Sequence, residues 1–118
     1  MPSSSTGTWT LLTLPEPPSS NRYWRVYRNR AVKSGEARAY CKVVAILARG
    51  IRPTANPVAL TLRWCRHAKR GDLDNRLKVA IDALQGIVYV NDNQIVELHA
   101  YRHDDKANPR LEVEWEER

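Results

Sequence analysis

The chain has 118 residues, 42% of them hydrophobic, and a formal net charge of +6. That length is typical of one domain, roughly 100–150 residues, and the apolar content is sufficient for a modest core, which argues against disorder. No apolar run approaches the roughly 20 residues that cross a bilayer, and no basic segment precedes an apolar one at the N-terminus. Because two cysteines cannot form a disulfide scaffold, we expect a small soluble cytoplasmic protein with no membrane association, one domain over residues 1–118.

The charge is divided unevenly along the chain. Residues 1–70 carry 13 basic and 2 acidic side chains, whereas residues 71–118 carry 6 basic and 11 acidic ones. This pattern is typical of a protein that binds a polyanion with one region and concentrates carboxylates in another. A chance charge gradient on a soluble domain is the alternative interpretation.

The hydrophobic pattern predicts seven elements in the order β-α-β-α-β-β-β. Strands are predicted at residues 9–14, 58–64, 87–90, 94–103 and 111–115, and residues 1–7 are expected to be flexible. One helix begins after a Ser34 cap and ends near residue 49, before Gly50. A second covers residues 73–85, before Gly86. We expect an α+β fold, a single small domain with a mixed β-sheet and two helices on one face.

Two carboxylates occur at the predicted start of the second helix, in the sequence GDLDN of residues 71–75. With Asp72 on the approach and Asp74 in the first turn, both can face one point, and a divalent cation such as Mg²⁺ relieves their repulsion. Lys78 lies one turn after Asp74, where its charge can reach a phosphate held by the metal ion. Helix capping and surface ion pairs between residues four apart are the structural alternative.

A third carboxylate, Asp92, follows the predicted strand at residues 87–90. If the second helix brings that strand back towards Asp72 and Asp74, the three carboxylates form an oxygen-rich metal site. An ordinary aspartate in an Asn-rich turn is the alternative interpretation.

Two basic stretches precede the acidic motif, and one further arginine lies within it. The candidate DNA-binding residues are Arg22, Arg25, Arg28, Arg30, Lys33, Arg66, Lys69, Arg70 and Arg76. Such side chains neutralise phosphates without reading base sequence, so their contribution should weaken with salt. Tyr23, Trp24 and Tyr27 lie within the first stretch and can stack on unpaired bases, although a core position is the alternative for Trp24.

The histidines suggest a different metal site. His99 and His103 lie on one face of a predicted strand, and Cys65 and His67 share another face. These residues include no compact ligand pair such as Cys-x-x-Cys, so a zinc site is the weaker hypothesis.

These motifs together resemble RusA-type Holliday junction resolvases. The similarity covers nearly the whole chain, in order: LPEPPSSNRY at residues 14–23, DLDN with Lys78, IDAL at residues 81–84 and VND at residues 90–92. The resemblance implies a Mg²⁺-dependent endonuclease that acts as a homodimer on four-way DNA junctions in recombination and repair, in the cytoplasm and associated with the nucleoid. It also implies that Asp72, Asp74 and Asp92 bind the metal ion and that Lys78 is catalytic. Family members often carry an acid where this chain has Asn91.

Two other functions remain open at this point. One is a structure-specific DNA-binding protein without activity, and the other is a small metal nuclease with a different branched-DNA substrate. Carboxylates repel DNA, so three of them beside a basic surface disfavour simple binding. A two-fold dimer would match a junction that needs two nicks, and residues 87–90 with Ile95 are its candidate interface, unless they fill the core of the monomer.

Overall fold

A four-stranded mixed sheet is the framework of the computed structural model, which describes residues 9–118. In chain order the elements are β1 (Thr10–Leu14), α1 (Ser20–Tyr23), β2 (Trp24–Tyr27), β3 (Arg30–Lys33), α2 (Gly35–Leu47), β4 (Val58–Arg66), α3 (Leu73–Ala83), β5 (Ile95–Asp104) and β6 (Arg110–Glu117). The sheet order is β1-β6-β4-β5, with β4 and β5 parallel. A 3₁₀ turn over Asp92–Gln94 precedes β5, which lies at an edge of the sheet.

The helices α2 and α3 pack against the same face of the sheet. Side chains two positions apart along β4 lie on one face of the sheet. On the helix side they pack in a core with residues of α2 and α3 and with Leu84, which follows α3. This core includes Leu60, Leu62, Trp64, Tyr40, Val44, Ala80 and Leu84. Because β4 has a strand on each side and helices above it, eight of its nine residues are buried. The predicted α+β arrangement is therefore confirmed.

Local sequence signals set the helix boundaries. Ser34 Oγ accepts a hydrogen bond of 3.1 Å from the amide of Ala37 and caps α2. Gly50 and Gly86 follow α2 and α3 with φ of +93° and +80°, a conformation in which glycine has no Cβ to clash. Both predicted helices are confirmed, and each ends two residues earlier than predicted.

Three segments differ from the prediction. Residues 20–23, where no element was predicted, form the short helix α1. Residues 24–33 form the β2–β3 hairpin, which pairs with no strand of the main sheet. Residues 87–90 are not a strand: Tyr89 makes isolated bridges to Thr54 and Gln85, within the turn that reverses the chain between α3 and β5. Val88 and Tyr89 are fully buried in the monomer core, so they do not contribute to a dimer interface.

The N-terminal strand begins at Thr10, where its pairing with β6 starts. The flexibility expected for residues 1–7 concerns a segment outside the described residues. In the part of the chain that is described, no helix has the length and apolar content needed to span a membrane.

Candidate active site and nucleic-acid interface

Two exposed carboxylates lie at the start of α3. Asp72 is the N-cap residue in extended conformation, yet its side chain makes no capping hydrogen bond. Asp74 follows in the first turn, and its side chain is 75% exposed. Since the two residues are two positions apart, their Cα atoms lie within about 7 Å of each other. Both carboxylates thus have oxygen atoms available to a hard cation, and one or two carboxylates with water and phosphate suit Mg²⁺.

Lys78 lies one helical turn after Asp74. Its Nζ is 3.7 Å from Oδ2 of Asp74, and the Lys78 side chain is 66% exposed. A surface pair this open contributes only about 0.3–0.5 kcal/mol to stability. The ammonium group is therefore free to turn away from Asp74 towards another anionic group.

Asp92 lies at the opposite end of α3 from Asp72 and Asp74. Its amide donates a hydrogen bond of 2.9 Å to Oε1 of Gln85, just beyond the last turn of the helix. The 11 residues of α3 span about 16 Å. Among residues 9–118, no three Asp, Glu, His or Cys side chains are close enough together to hold a metal ion. The expectation that the three carboxylates converge within one chain is wrong, because the 11-residue helix α3 separates them.

A cluster around Trp64 holds the start of α3 against the end of β4. The Arg76 guanidinium lies over the Trp64 ring, 4.7 Å from its centroid, and donates a hydrogen bond to the carbonyl of Pro17. Trp64 Nε1 donates to Oε2 of Glu16 at 2.7 Å. The Arg76 side chain is only 15% exposed, and burial lowers its pKa while Glu16 opposes that shift. Arg76 therefore helps to position the helix, and its low exposure makes it a weaker candidate for DNA binding than the exposed basic residues.

Gly71 allows the chain to pass closely over Trp64 on its way to Asp72. Its φ is +94°, and a Cβ at this position would lie 3.1 Å from the Trp64 ring. Any other residue would therefore be strained and would also push against the ring. The glycine before the first carboxylate is required by this contact.

A second cluster fastens α3 to the preceding segments. Tyr23 is fully buried, and its hydroxyl donates a hydrogen bond of 2.5 Å to Oδ2 of Asp82. Lys33 Nζ lies 3.1 Å from the same oxygen. Burial, followed by the hydrogen bond to Asp82, raises the pKa of Tyr23, which keeps the hydroxyl a donor. Tyr23 therefore cannot stack on bases, whereas Trp24 is 36% exposed and is not a core residue.

The nine basic residues predicted to bind DNA divide into two groups. Four pair with acidic side chains: Arg22 with Glu36, Lys33 with Asp82, Arg66 with Asp104 and Arg76 with Glu16. The other five form no ion pair among residues 9–118: Arg25, Arg28, Arg30, Lys69 and Arg70. Three of these lie on the β2–β3 hairpin and two directly precede the acidic motif. The three arginines of the hairpin and the pair Lys69 and Arg70 are therefore the strongest candidates for phosphate contacts.

Arg66 has a structural role. The residue is 9% exposed, and its Nε donates a hydrogen bond to Oδ1 of Asp104. That bond is the main cause of the lowered pKa of the Asp104 carboxyl. The pair joins the adjacent ends of β4 and β5, so Arg66 is a weaker candidate for DNA contact than the basic residues without an acidic partner.

Replacing Lys69 and Arg70 together by alanine is expected to weaken binding of a four-way junction. The slope of log Kobs against log salt should fall by roughly two, about one for each lost phosphate contact. Fluorescence anisotropy titrations at several salt concentrations measure this slope. A Lys42→Ala/Arg49→Ala protein, which loses the same charge from α2 and the turn that follows it, should keep the parent slope. Equal slopes in the two double variants would refute the contact.

Each of the three histidines contacts a neighbouring side chain through a hydrogen bond or by stacking. His67 Nδ1 lies 2.6 Å from Oε1 of Glu16, and His99 Nε2 lies 3.0 Å from Oε2 of Glu97. The hydrogen bond from His99 is the main cause of the lowered pKa of Glu97. His103 stacks on Tyr101 with ring centroids 6.5 Å apart. Within residues 9–118, no three-ligand group includes these histidines, so the zinc hypothesis finds no support there.

The residues that position the site were missed by the sequence analysis. Glu16 carried a usable signal, since it is one of two acids before residue 71 and stands between prolines. A carboxylate in such a rigid apolar segment needs partners, and Trp64 and His67 supply them. No comparable signal marks Tyr23, because its partner Asp82 is 59 positions away.

Known proteins resemble this chain over most of its length. The family model described as Endodeoxyribonuclease RusA matches residues 15–116. The chain is 35% identical over 108 residues to a Crossover junction endodeoxyribonuclease of Enterobacteria phage 82, covering 86% of this chain and 89% of that protein. The relative of the same name from Escherichia coli (strain K12) gives the same identity and coverage. That of Shigella sonnei (strain Ss046) is 34% identical over 107 residues.

Proposed function

The chain is a member of the RusA endodeoxyribonuclease family, and from this premise we propose that it resolves four-way DNA junctions by paired nicks in a Mg²⁺-dependent reaction. Recombination and repair are the processes that generate such junctions, and a nucleoid-associated enzyme would meet them there. The observation that carries the proposal is the start of α3. Exposed Asp72 and Asp74 lie there beside an exposed Lys78, directly after two basic residues that form no ion pair among residues 9–118.

Each group at this helix end has a chemical role in phosphodiester hydrolysis. Mg²⁺, when bound by Asp72 and Asp74, would polarise the scissile phosphate and lower the pKa of a coordinated water. Lys78 supplies a cation that can stabilise charge on the phosphoryl oxygens in the transition state. Lys69 and Arg70 bind neighbouring phosphates and orient the strand. No Ser–His or Cys–His pair is required.

The position of Asp92 supports a homodimer with shared sites. A two-fold axis perpendicular to α3 makes the two copies of this helix antiparallel, so the end of one helix lies beside the start of the other. Asp92 of the partner subunit would then join Asp72 and Asp74. In this arrangement each set of three carboxylates includes one from the second copy, so neither metal site is complete in a single chain.

Exposed apolar surface near Asp92 favours the same arrangement. Val90 is 61% exposed, Val96 is 63% exposed and Leu98 is 41% exposed. The last two belong to β5, an edge strand whose outer backbone groups have no partner strand among the described residues. This surface replaces the predicted interface at residues 87–90, of which Val90 remains a member.

A cleavage assay with a synthetic four-way junction tests the proposed function. The junction should be nicked in two strands of like polarity with Mg²⁺, and neither the junction with EDTA nor a linear duplex of the same sequence should be cut. Light scattering should give twice the chain mass of 13.6 kDa. Tight binding without cleavage in any divalent cation would favour a non-catalytic protein. Preferential cutting of a flap would favour a different branched substrate.

A further inference from the structure

The β2–β3 hairpin presents apolar side chains at a basic tip. The base of the hairpin is held in place by two contacts. The backbone amide of Ser34 donates a hydrogen bond of 2.9 Å to the Tyr23 carbonyl, and Lys33 pairs with Asp82. Every residue from 24 to 31 is nevertheless exposed. Val26 is 80% exposed and Tyr27 is 60% exposed, so an aliphatic side chain and an aromatic ring are both open to solvent.

The turn of the hairpin is strained. Arg28 and Asn29 have φ of +51° and +61°, so both central residues of a two-residue turn are left-handed. Glycine is the residue that adopts this conformation without strain, and a large arginine is a poor choice for stability. The Arg28 guanidinium instead lies over the Tyr27 ring, 5.3 Å from its centroid. It covers one side of the ring and so extends the planar surface that the ring offers. Such a local conflict is typical of a functional segment.

Charge complementarity identifies the partner. Arg25, Arg28 and Arg30 surround the tip and form no ion pair among residues 9–118, so the hairpin attracts a polyanion. Phosphate contacts alone would not require Val26 and Tyr27. Apolar and aromatic side chains between arginines suit bases that have lost a stacking neighbour. In branched DNA, this condition is met at the branch point, where base stacking is interrupted.

We propose that the hairpin tip is a wedge that enters the branch point. Val26 and Tyr27 lie on opposite faces of the hairpin, because they are consecutive in β2. Tyr27 stacks on a terminal base pair on one side of the wedge, Val26 packs against one on the other side, and the three arginines bind the phosphates around the opening. The inference rests on the proposed function and adds the means by which a junction is distinguished from a duplex, which offers no interrupted stack.

The fluorescence of 2-aminopurine placed at the branch point tests the wedge in EDTA, so that cleavage plays no part. The parent protein should raise the signal severalfold on a four-way junction and leave it unchanged in a linear duplex. A Val26→Ser/Tyr27→Ala protein should lose this rise and about tenfold of its junction affinity, with duplex affinity unchanged. Ile46→Ser, which alters an apolar side chain 56% exposed on α2, should behave like the parent.

Two results would overturn the wedge. One is a full fluorescence rise with the Val26→Ser/Tyr27→Ala protein, and the other is no rise with the parent at saturating junction. Tyr27→Phe, which keeps the ring, should retain the rise and so separates stacking from misfolding. These measurements do not depend on metal or on strand cleavage, so the failure of the wedge and of the nuclease proposal are separate outcomes.

Discussion

An Asp74→Asn protein is expected to cleave a four-way junction at least a hundredfold to a thousandfold more slowly than the parent while binding it equally well or more tightly. Asparagine has the shape of aspartate, but it supplies no charged oxygen to Mg²⁺. The substitution also removes a negative charge from the surface that we propose faces the DNA. Single-turnover cleavage with Mg²⁺ measures the first effect, and anisotropy in EDTA measures the second. Asp72→Asn is expected to behave in the same way.

Two variants serve as controls for this result. Glu114→Gln makes the same charge change on the sheet face opposite to the helices, where Glu114 pairs with Arg63, and it should leave the cleavage rate within about twofold. Lys78→Met should slow cleavage without weakening Mg²⁺ binding in titration calorimetry, because it removes a positive charge 3.7 Å from Asp74. If Asp74→Asn cleaved at the parent rate, the hypothesis that the metal ion binds at the start of α3 would be refuted.

A mixture of Asp74→Asn and Asp92→Asn subunits is expected to regain cleavage that neither homodimer shows. If each site combines Asp72 and Asp74 of one subunit with Asp92 of the partner subunit, the mixed dimer contains one site with no substitution. The other site then carries both substitutions. Such a dimer should nick one strand of a junction, and co-refolded subunits in a 1:1 ratio should therefore show about half of the dimers active towards a single strand.

The opposite geometry predicts a different result. If all three carboxylates acted within one chain, every subunit in the mixture would carry a defect and no mixed dimer would cleave. Absence of recovery, with light scattering and an affinity-tagged subunit confirming that mixed dimers form, would therefore refute the shared site. The parent mixed with either variant is the reference for subunit exchange.

Features that depend on residues close together in the chain could be predicted from the sequence. The Ser34 cap, the glycines after both long helices and the apolar repeat of α3 depend on neighbours within a few residues, so they predicted both helices correctly. Placement of Asp72 and Asp74 at a helix start also followed from the motif alone. The β2–β3 hairpin was missed because its turn is Arg28-Asn29, which lacks the glycine that normally marks a two-residue turn.

Tertiary structure decided which of these groups remain available. Arg66 is neutralised by Asp104, 38 positions later, and the Trp64 that supports Arg76 is held by Glu16, 48 positions earlier, so neither role can be seen locally. Asp92 was expected beside the other two carboxylates, but the length of α3 keeps them apart. The sequence by itself determined the two long helices and identified Asp72, Asp74 and Asp92 as candidate metal ligands. The direction and length of one helix decided that they do not meet within a single chain.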